Sequence, residues 1–277
     1  MIWKWFGGGR SKEPEPPPRD VKELVLGLQK AALHAVTTIP RGTSFFGGAP
    51  SIAPDPWPER EGKKLQFLAQ IDLATTQALL PMDWLPKAGA LLFFYDVEEQ
   101  PWGFDPADRG GWAVIHQPVA SHELMPAASP QPSDPAYGRA YVMFRTILTY
   151  PTMERVPSLD LTDEEMDALS DLSSEQFGEN PCHQIGGLPS PVQGDNMERE
   201  CQLASNGISC GDEKHLKDPR VPELEKGASE WRLLLQLDSD DSGEFAWGDA
   251  GMLYFFVRES DARAGDFSNV WMVLQCS

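Results

Sequence analysis

Basic residues are scarce in this sequence. Only 23 of its 277 residues are Lys or Arg, against 42 Asp or Glu, so the formal net charge is −19. Nucleic acids and anionic membrane surfaces are bound through basic patches, and this balance therefore argues against both as partners. A strongly acidic chain fits a cationic partner, such as a metal ion, a basic peptide or a basic protein, although solubility alone also favours such a charge.

Cysteines and long apolar runs are scarce as well. Four cysteines are too few for a fold built on disulfides, and no apolar run approaches the length that a membrane span needs. The apolar start at residues 1–6 is shorter than the core of a signal peptide, so we expect a cytoplasmic protein. A Pro- and Glu-rich run follows, which predicts a mobile tail over residues 1–18 and a single domain over residues 19–277.

Common catalytic motifs are missing. The sequence contains no Walker loop and no H-E-x-x-H. Zinc-binding residue types do gather in one stretch, but without the C-x-x-C or H-x₃₋₅-H spacing of zinc sites; they are Cys182, His183, Cys201, Cys210 and His215. Cys182 and His183 are adjacent, so on an extended chain their side chains point to opposite sides, which disfavours a thiolate–base pair.

The sequence does contain a repeated order of motifs. Each of three motifs occurs twice, in the same order: Gly-Gly-x-Pro-Ser at 47–51 and 186–190, Gln-x-Asp at 70–72 and 236–238, and a glycine-led aromatic run at 89–94 and 251–256. The order is shared and the spacings differ, which indicates an old duplication. We therefore predict an α+β fold of two pseudo-repeated, largely antiparallel β half-units, about residues 40–150 and 180–277, packed as one body.

Hydrophobic periodicity predicts the main elements. Apolar residues at helical spacing after Asp20 predict an N-terminal helix over residues 21–35. A capping box at residues 162–165 predicts a short helix between the halves. Alternating or continuous apolar runs predict strands at 65–72, 91–95, 112–116, 140–148, 231–238, 252–257 and 270–275.

Two stretches show no regular pattern and are predicted to be loops, residues 117–136 and 191–228. Loops on a sheet scaffold commonly carry functional sites. The aromatic runs, by contrast, are apolar on both faces and suit central strands. We expect their four phenylalanines to lie in the core: Phe93, Phe94, Phe255 and Phe256.

Several runs carry a family resemblance, and they stand in one order over about residues 40–276: GGAPSI, LQFLAQIDLA, AGALLFFYD, HQIGGLPSPVQ and FSNVWMVLQC. In this order they resemble the YwqG-like family of bacterial proteins. The resemblance implies an α+β fold of pseudo-repeated, largely antiparallel sheets and no established biochemical activity. The sequence departs from the family at residues 243–246, before Trp247, where relatives tend to carry methionines.

The acidic loop 238–249 has the oxygen-ligand spacing of a calcium loop. Oxygen-bearing side chains occupy positions 1, 3, 5 and 12, and glycine occupies position 6. A calcium site here would use Asp238, Asp240, Ser242, Glu244 and Asp249. The alternative is an acidic, solvated loop between two strands, because position 12 is Asp instead of the bidentate Glu and the flanks are strands.

The two Gln-x-Asp pairs, Gln70 with Asp72 and Gln236 with Asp238, each place two polar side chains on one strand face. In a common cleft, two such carboxylates would serve acid–base chemistry if burial separated their pKa values. The alternative is structural: Gln and Asp at strand ends bond to backbone N–H groups of the following turn. The predicted cleft residues are Gln70, Asp72, His183, Gln184, Gln236, Asp238, Trp247 and Asp249.

These observations predict a binding or interaction protein with an acidic cleft between the halves. One concrete form is an immunity-type inhibitor that neutralises a basic protein. A different class is a hydrolase that uses Asp72, Asp238, Asp249 or His183, and a third is a calcium-stabilised structural protein. The prediction leans away from an enzyme and, calcium apart, expects no cofactor.

Overall fold

Strands dominate the chain in the computed structural model, which describes residues 19–39, 42–124, 137–241 and 244–277. The predicted tail over 1–18 lies outside these residues. The strands are β1 Lys30–Thr37, β2 Phe45–Phe46, β3 Glu59–Arg60, β4 Lys63–Lys64, β5 Gln66–Asp72, β6 Ala90–Tyr95, β7 Trp112–Gln117, β8 Ala140–Thr149, β9 Gln184–Ile185, β10 Trp231–Asp238, β11 Met252–Arg258 and β12 Trp271–Gln275.

Helices are short and connect or cover the strands. The α-helices are α1 Val21–Leu24, α2 Leu73–Leu79, α3 Asp163–Glu175, α4 Met197–Ser205, α5 Val221–Leu224 and α6 Glu259–Ala264. Single 3₁₀ segments lie at Pro106–Asp108, Ser121–Glu123, Met153–Arg155, Pro157–Leu159, Glu213–Lys217 and Glu225–Glu230. Within the described ranges, no helix combines the length and the apolar character that crossing a bilayer requires.

Ten strands form one antiparallel sheet in the order β12-β11-β10-β9-β1-β8-β2-β5-β6-β7, while β3 and β4 make a separate hairpin. The sheet curls into a nearly closed barrel. Its two edge strands meet through side chains, because the Trp112 indole of β7 donates a hydrogen bond to the Val270 carbonyl (2.9 Å) and packs 5.0 Å from the Trp271 ring of β12. Side chains inside the barrel therefore form a shared core.

The prediction of two pseudo-repeated half-units is wrong. The repeated motifs lie in one continuous sheet, and the long strands β1 and β8, paired from Lys30↔Thr149 to Thr37↔Val142, stand between them. The physical reason is burial: neither β5-β6-β7 nor β10-β11-β12 covers its own apolar face. The two faces cover each other, as Phe93 and Phe255 show with ring centroids 5.2 Å apart.

The predicted N-terminal helix over residues 21–35 is also wrong. α1 ends after one turn, and Gly27 follows with a φ of 85°, which glycine adopts at no steric cost. Residues from Lys30 onward form β1 instead, a central strand between β8 and β9 that is buried on both faces at Ala32–Ala35. Burial on both faces removes the alternation by which a strand is usually recognised.

Residues 125–136 of the predicted loop 117–136 lie outside the described residues. The other predicted elements agree with the sequence pattern, with one exception. Every predicted strand is present, and all four core phenylalanines are 0 % exposed. The capping box of α3 forms as expected: the Thr162 hydroxyl accepts the Glu165 N–H, and the Glu165 carboxylate accepts the Thr162 N–H. The exception is the stretch 191–228, which contains α4 and α5 instead of being entirely loop.

Candidate functional site

Gln70 and Asp72, predicted to line a cleft, are engaged in hydrogen bonds inside the fold. Gln70 accepts the Ser51 N–H (2.8 Å) through Oε1 and donates to the Thr43 carbonyl (2.8 Å) through Nε2. Asp72 caps α2 by accepting the Ala74 N–H (3.0 Å). It also accepts hydroxyl hydrogen bonds from Thr43, Thr75 and Ser121. The two side chains are 0 % and 1 % exposed, so their role in this structure is structural.

Gln184 and Gln236 belong to a row of polar side chains that holds the loop 186–194 against the sheet. Both are 0 % exposed, and Gln236 also donates to the Cys182 carbonyl (2.7 Å). The contacts run along four neighbouring strands: Gln184 Nε2 to the Leu188 carbonyl (2.8 Å), Gln236 Oε1 to the Ser190 N–H (2.9 Å), the Tyr254 hydroxyl to the Ser190 carbonyl (2.7 Å) and Gln275 Oε1 to the Val192 N–H (3.0 Å). This loop attachment was not predicted from the sequence.

His183 and two carboxylates form a buried cluster between β9 and the loop after β10. The Asp238 N–H donates to His183 Nδ1 (3.0 Å), which places the imidazole proton on Nε2, where Asp240 Oδ2 lies 3.3 Å away. Asp238 in turn accepts the Cys182 N–H (2.8 Å), and burial raises the pKa of its carboxyl group. His183 is 1 % exposed, so its imidazole is closed to solvent in this conformation.

The structure brings His183, Gln184, Gln236 and Asp238 together, but it separates them from the first Gln-x-Asp pair. Phe46 fills the space between the two groups, because it pairs with Ala69 of β5 and packs its ring 4.8 Å from that of His183. Within the described residues, no hydrogen bond joins Asp72 to Asp238.

The proposed calcium ligands are divided between two environments in the described part of the loop. Asp238 and Asp240 are directed to β9, as given above, while Glu244 and Asp249 are exposed. Ser242 lies outside the described residues. Across the described ranges, no group of three or more His, Cys, Asp or Glu side chains is placed to hold a metal ion.

Trp247, the last of the predicted cleft residues, is fully buried. Its indole N–H donates to the Asp238 carbonyl (3.1 Å), and its ring stacks on that of Phe245 at 5.3 Å. Phe245 packs in turn against Phe46. Trp247 therefore anchors the loop 238–249 to the aromatic core and offers no surface to a ligand.

Burial disfavours the thiolate form of three cysteines, Cys182, Cys201 and Cys210. Burial raises the pKa of the Cys182 thiol to about 12 and that of Cys210 to about 11, and it also raises the pKa of Cys201. Because the thiolate is the nucleophile and the metal ligand, thiol catalysis and zinc binding lack support here.

An open groove of about 330 Å³ lies between α3 and the segments 149–154 and 188–193. We call it the α3 groove. Its apolar lining includes Tyr150, Met153, Met166, Leu169 and Phe177. Glu154 is the one charged residue that lines it among the described residues. Met153 is 51 % exposed, which leaves apolar surface open to a partner at the edge of the groove.

Four exposed carboxylates run along α3 outside the lining of the α3 groove, and the last two line a separate surface pocket together with Arg19 and Lys22. The four are Asp163, Asp167, Asp171 and Glu175, which we call the acidic row. Their i,i+4 spacing makes them neighbours, so they repel one another, and the last two also oppose the helix dipole. Within the described residues none of the four makes an ion pair. The D-x₃-D-x₃-D-x₃-E pattern can be seen in the sequence, but such a pattern is typical of any solvent-exposed helix face.

The chain was compared with families of known proteins. A family model described as "Domain of unknown function (DUF1963)" matches residues 44–276, a range that takes in every strand from β2 to β12, α3 and the loop 238–249. A comparison with curated proteins gave no match. Because the matched range covers most of the chain, the protein belongs to the DUF1963 family of uncharacterised domains.

Proposed function

We propose that this protein binds a cationic peptide segment of another protein, and that the α3 groove and the acidic row form the binding surface. One observation carries the proposal: α3 lines an open apolar groove and also presents a row of like charges that make no ion pair among the described residues. Such a row lowers the stability of the isolated protein. A basic partner would reverse this cost on binding, because each carboxylate would then gain a charge-assisted hydrogen bond.

The geometry of the row suits an extended peptide. Successive carboxylates stand about 6 Å apart along the helix axis, and every second residue of an extended chain stands about 6.6 Å apart. Lys or Arg at alternate positions of a partner segment would therefore meet successive carboxylates. An apolar side chain of the same segment would enter the α3 groove between Met153 and Leu169.

The net charge of the whole chain also favours a basic partner. A net charge of −19 attracts a basic protein over distances of about a Debye length, roughly 8 Å at physiological salt. An immunity-type inhibitor of a basic protein is the specific form that we propose. We also propose that the protein is cytoplasmic. We propose, in addition, that it is a member of the YwqG-like bacterial family, and the ordered sequence motifs support this membership.

A hydrolase has less support from the contacts. Asp72 and His183, two of its predicted residues, are each 1 % exposed and already hydrogen-bonded within the fold. Asp249 is exposed and is not one of the buried residues around His183. A substrate would need direct contact with these groups.

The test measures binding of two fluorescein-labelled peptides by anisotropy, one with alternating Lys and Leu and one with alternating Glu and Leu. The variant Asp163→Asn/Asp167→Asn/Asp171→Asn/Glu175→Gln removes the acidic row. The matched control, Glu61→Gln/Glu99→Gln/Glu230→Gln/Asp249→Asn, removes four exposed carboxylates elsewhere and changes the net charge equally.

We expect the Lys peptide alone to bind. The row variant should lose about tenfold or more in affinity, since it gives up several charge-assisted contacts, while the control should stay within about twofold, because its charges lie outside the contact and are screened. Equal losses in the two variants would show that affinity follows net charge alone, and the proposed surface would then be wrong.

A further inference from the structure

A second and larger cavity, of about 690 Å³, opens between β1, α4, β10 and the Gly186–Gly187 turn. We call it the α4 cavity. It shares a single lining residue, Leu188, with the α3 groove, so the two sites can be tested separately. The turn stays close to the sheet because Gly187 has a φ of 75°, and a Cβ there would lie 2.7 Å from the Ala32 Cβ.

Cationic side chains reach the α4 cavity from four separate parts of the chain: Lys30, Arg155, Arg199 and Arg232. Lys30 is exposed and makes no ion pair within the described residues. The side chains of the three arginines are 22 %, 26 % and 39 % exposed, respectively. Four of the 23 basic residues of a chain with a net charge of −19 therefore line this one cavity.

Carboxylates in the cavity wall are less accessible than these cations. Asp195 is paired with Arg155, and its side chain is only 1 % exposed. Glu198 is 20 % exposed and pairs with the same guanidinium. A ligand entering the cavity would therefore meet mainly ammonium and guanidinium groups.

The remaining ion pairs orient the arginines from outside the cavity. Arg199 pairs with Glu225, and Arg232 pairs with Glu259 (2.7 Å) and donates to the Ser229 carbonyl. Neither glutamate is part of the cavity lining. Such partners fix the guanidinium planes before a ligand arrives, which lowers the entropy lost on binding.

The start of α4 adds to the positive potential. Asn196, the N-cap residue, makes no side-chain capping bond, and it lines the cavity together with Glu198 of the first turn. Unpaired N–H groups and the helix dipole at such an end favour an anion. This contribution accompanies the four side-chain cations and would not define a site without them.

We infer that the α4 cavity binds a small multivalent oxyanion, a metabolite that carries phosphate or carboxylate groups. Arg232 and Arg155 would contact it with planar N–H groups, and Lys30 would contact it as a mobile point charge. This inference does not depend on the peptide surface proposed above, since the two sites use different side chains.

The test is isothermal titration with pyrophosphate and, separately, with citrate, each against sodium chloride at equal ionic strength. We expect the wild-type chain to bind at least one of them, more weakly as salt rises. Tighter binding of pyrophosphate would identify a phosphate ligand, and tighter binding of citrate a polycarboxylate.

Variants locate the site. Lys30→Gln/Arg232→Gln should weaken binding by about tenfold or more, since two charge-assisted contacts are lost. Arg263→Gln is the control for Arg232, because Arg263 pairs with the same Glu259 (2.7 Å) from outside the cavity. The affinity of this variant for the oxyanion should stay within about twofold of that of the wild type. Lys30→Gln alone removes an exposed side chain without an ion pair, so it keeps the test valid if the double variant unfolds.

Two results would overturn the inference. One is the absence of heat and of a thermal shift with both oxyanions beyond the effect of sodium chloride. The other is unchanged affinity in the Lys30→Gln and Lys30→Gln/Arg232→Gln variants. The acidic-row variant should bind the oxyanion like the wild type, which separates a failure here from a failure of the peptide site.

Discussion

The imidazole of His183 accepts the backbone N–H of Asp238 through Nδ1 at 3.0 Å, so a side chain just before β9 bonds to the backbone at the end of β10. The ring's other nitrogen faces Asp240, which ties the following loop to β9. His183 therefore links two chain segments, and we expect its removal to lower the stability of the folded protein.

We expect His183→Ala to lower the free energy of unfolding by about 2–4 kcal/mol, because it leaves a cavity and removes the hydrogen-bond acceptor of the Asp238 N–H. Urea denaturation measures this change. His122→Ala, which removes an exposed imidazole, serves as the control and should change stability by less than about 0.5 kcal/mol. Similar small losses of unfolding free energy in both variants would show that His183 does not stabilise the contact between these segments.

A second prediction is based on the contact between Phe93 and Phe255. Both rings are 0 % exposed and lie 5.2 Å apart, edge to face, across the barrel. Phe255→Ala should therefore cost about 3–5 kcal/mol, from lost burial and a residual cavity. Met143→Ala, at a position 59 % exposed, should cost less than about 0.5 kcal/mol in the same denaturation experiment. A loss below about 1 kcal/mol at Phe255 would show that the barrel interior is not the main core.

Local patterns were enough to predict most strands and α3, because alternation, apolar runs and capping boxes involve residues close in the chain. β1 was missed because Ala32–Ala35 are buried on both faces, and the same residues also fit a helical stripe. Tertiary pairing with β8, more than 100 residues away, decides between the two.

The site was harder to predict for the same reason. Gln70 meets Ser51 and Gln236 meets Ser190, which are 19 and 46 residues distant, so the sequence alone could not distinguish a cleft from a loop attachment. The α3 groove and the α4 cavity are formed by segments that no local motif connects.

A third prediction concerns calcium. Asp238 and Asp240 are already hydrogen-bonded to the β9 segment, and Asp249 is exposed. We therefore expect millimolar calcium to leave the melting temperature unchanged relative to magnesium at equal concentration, because the carboxylates do not converge. Titration calorimetry on the wild type and on Asp238→Asn/Asp249→Asn provides the check. Tight calcium binding that disappears in the double variant would restore the calcium hypothesis.

A fourth prediction concerns Glu200 on α4. Its Oε2 is buried without a hydrogen-bond partner in the part of the chain that the structure describes, and burial raises the pKa of its carboxyl group from 4.5 to about 7. Between these two values the folded chain holds a proton that the unfolded chain has lost. The contribution of Glu200 therefore lowers stability as pH rises through this window, and its full cost is present above about pH 7.

Glu200→Gln is neutral at every pH and removes this cost. We expect the variant to be more stable than the wild type by about 1–3 kcal/mol at pH 8, and to match it at pH 4, where both side chains are uncharged. Urea denaturation across this range gives the difference directly, and Glu230→Gln, at an exposed position, should show no such pH-dependent gain. If Glu200→Gln were equally stable or less stable than the wild type at pH 8, the charged form of Glu200 would not destabilise the fold and the prediction would be wrong.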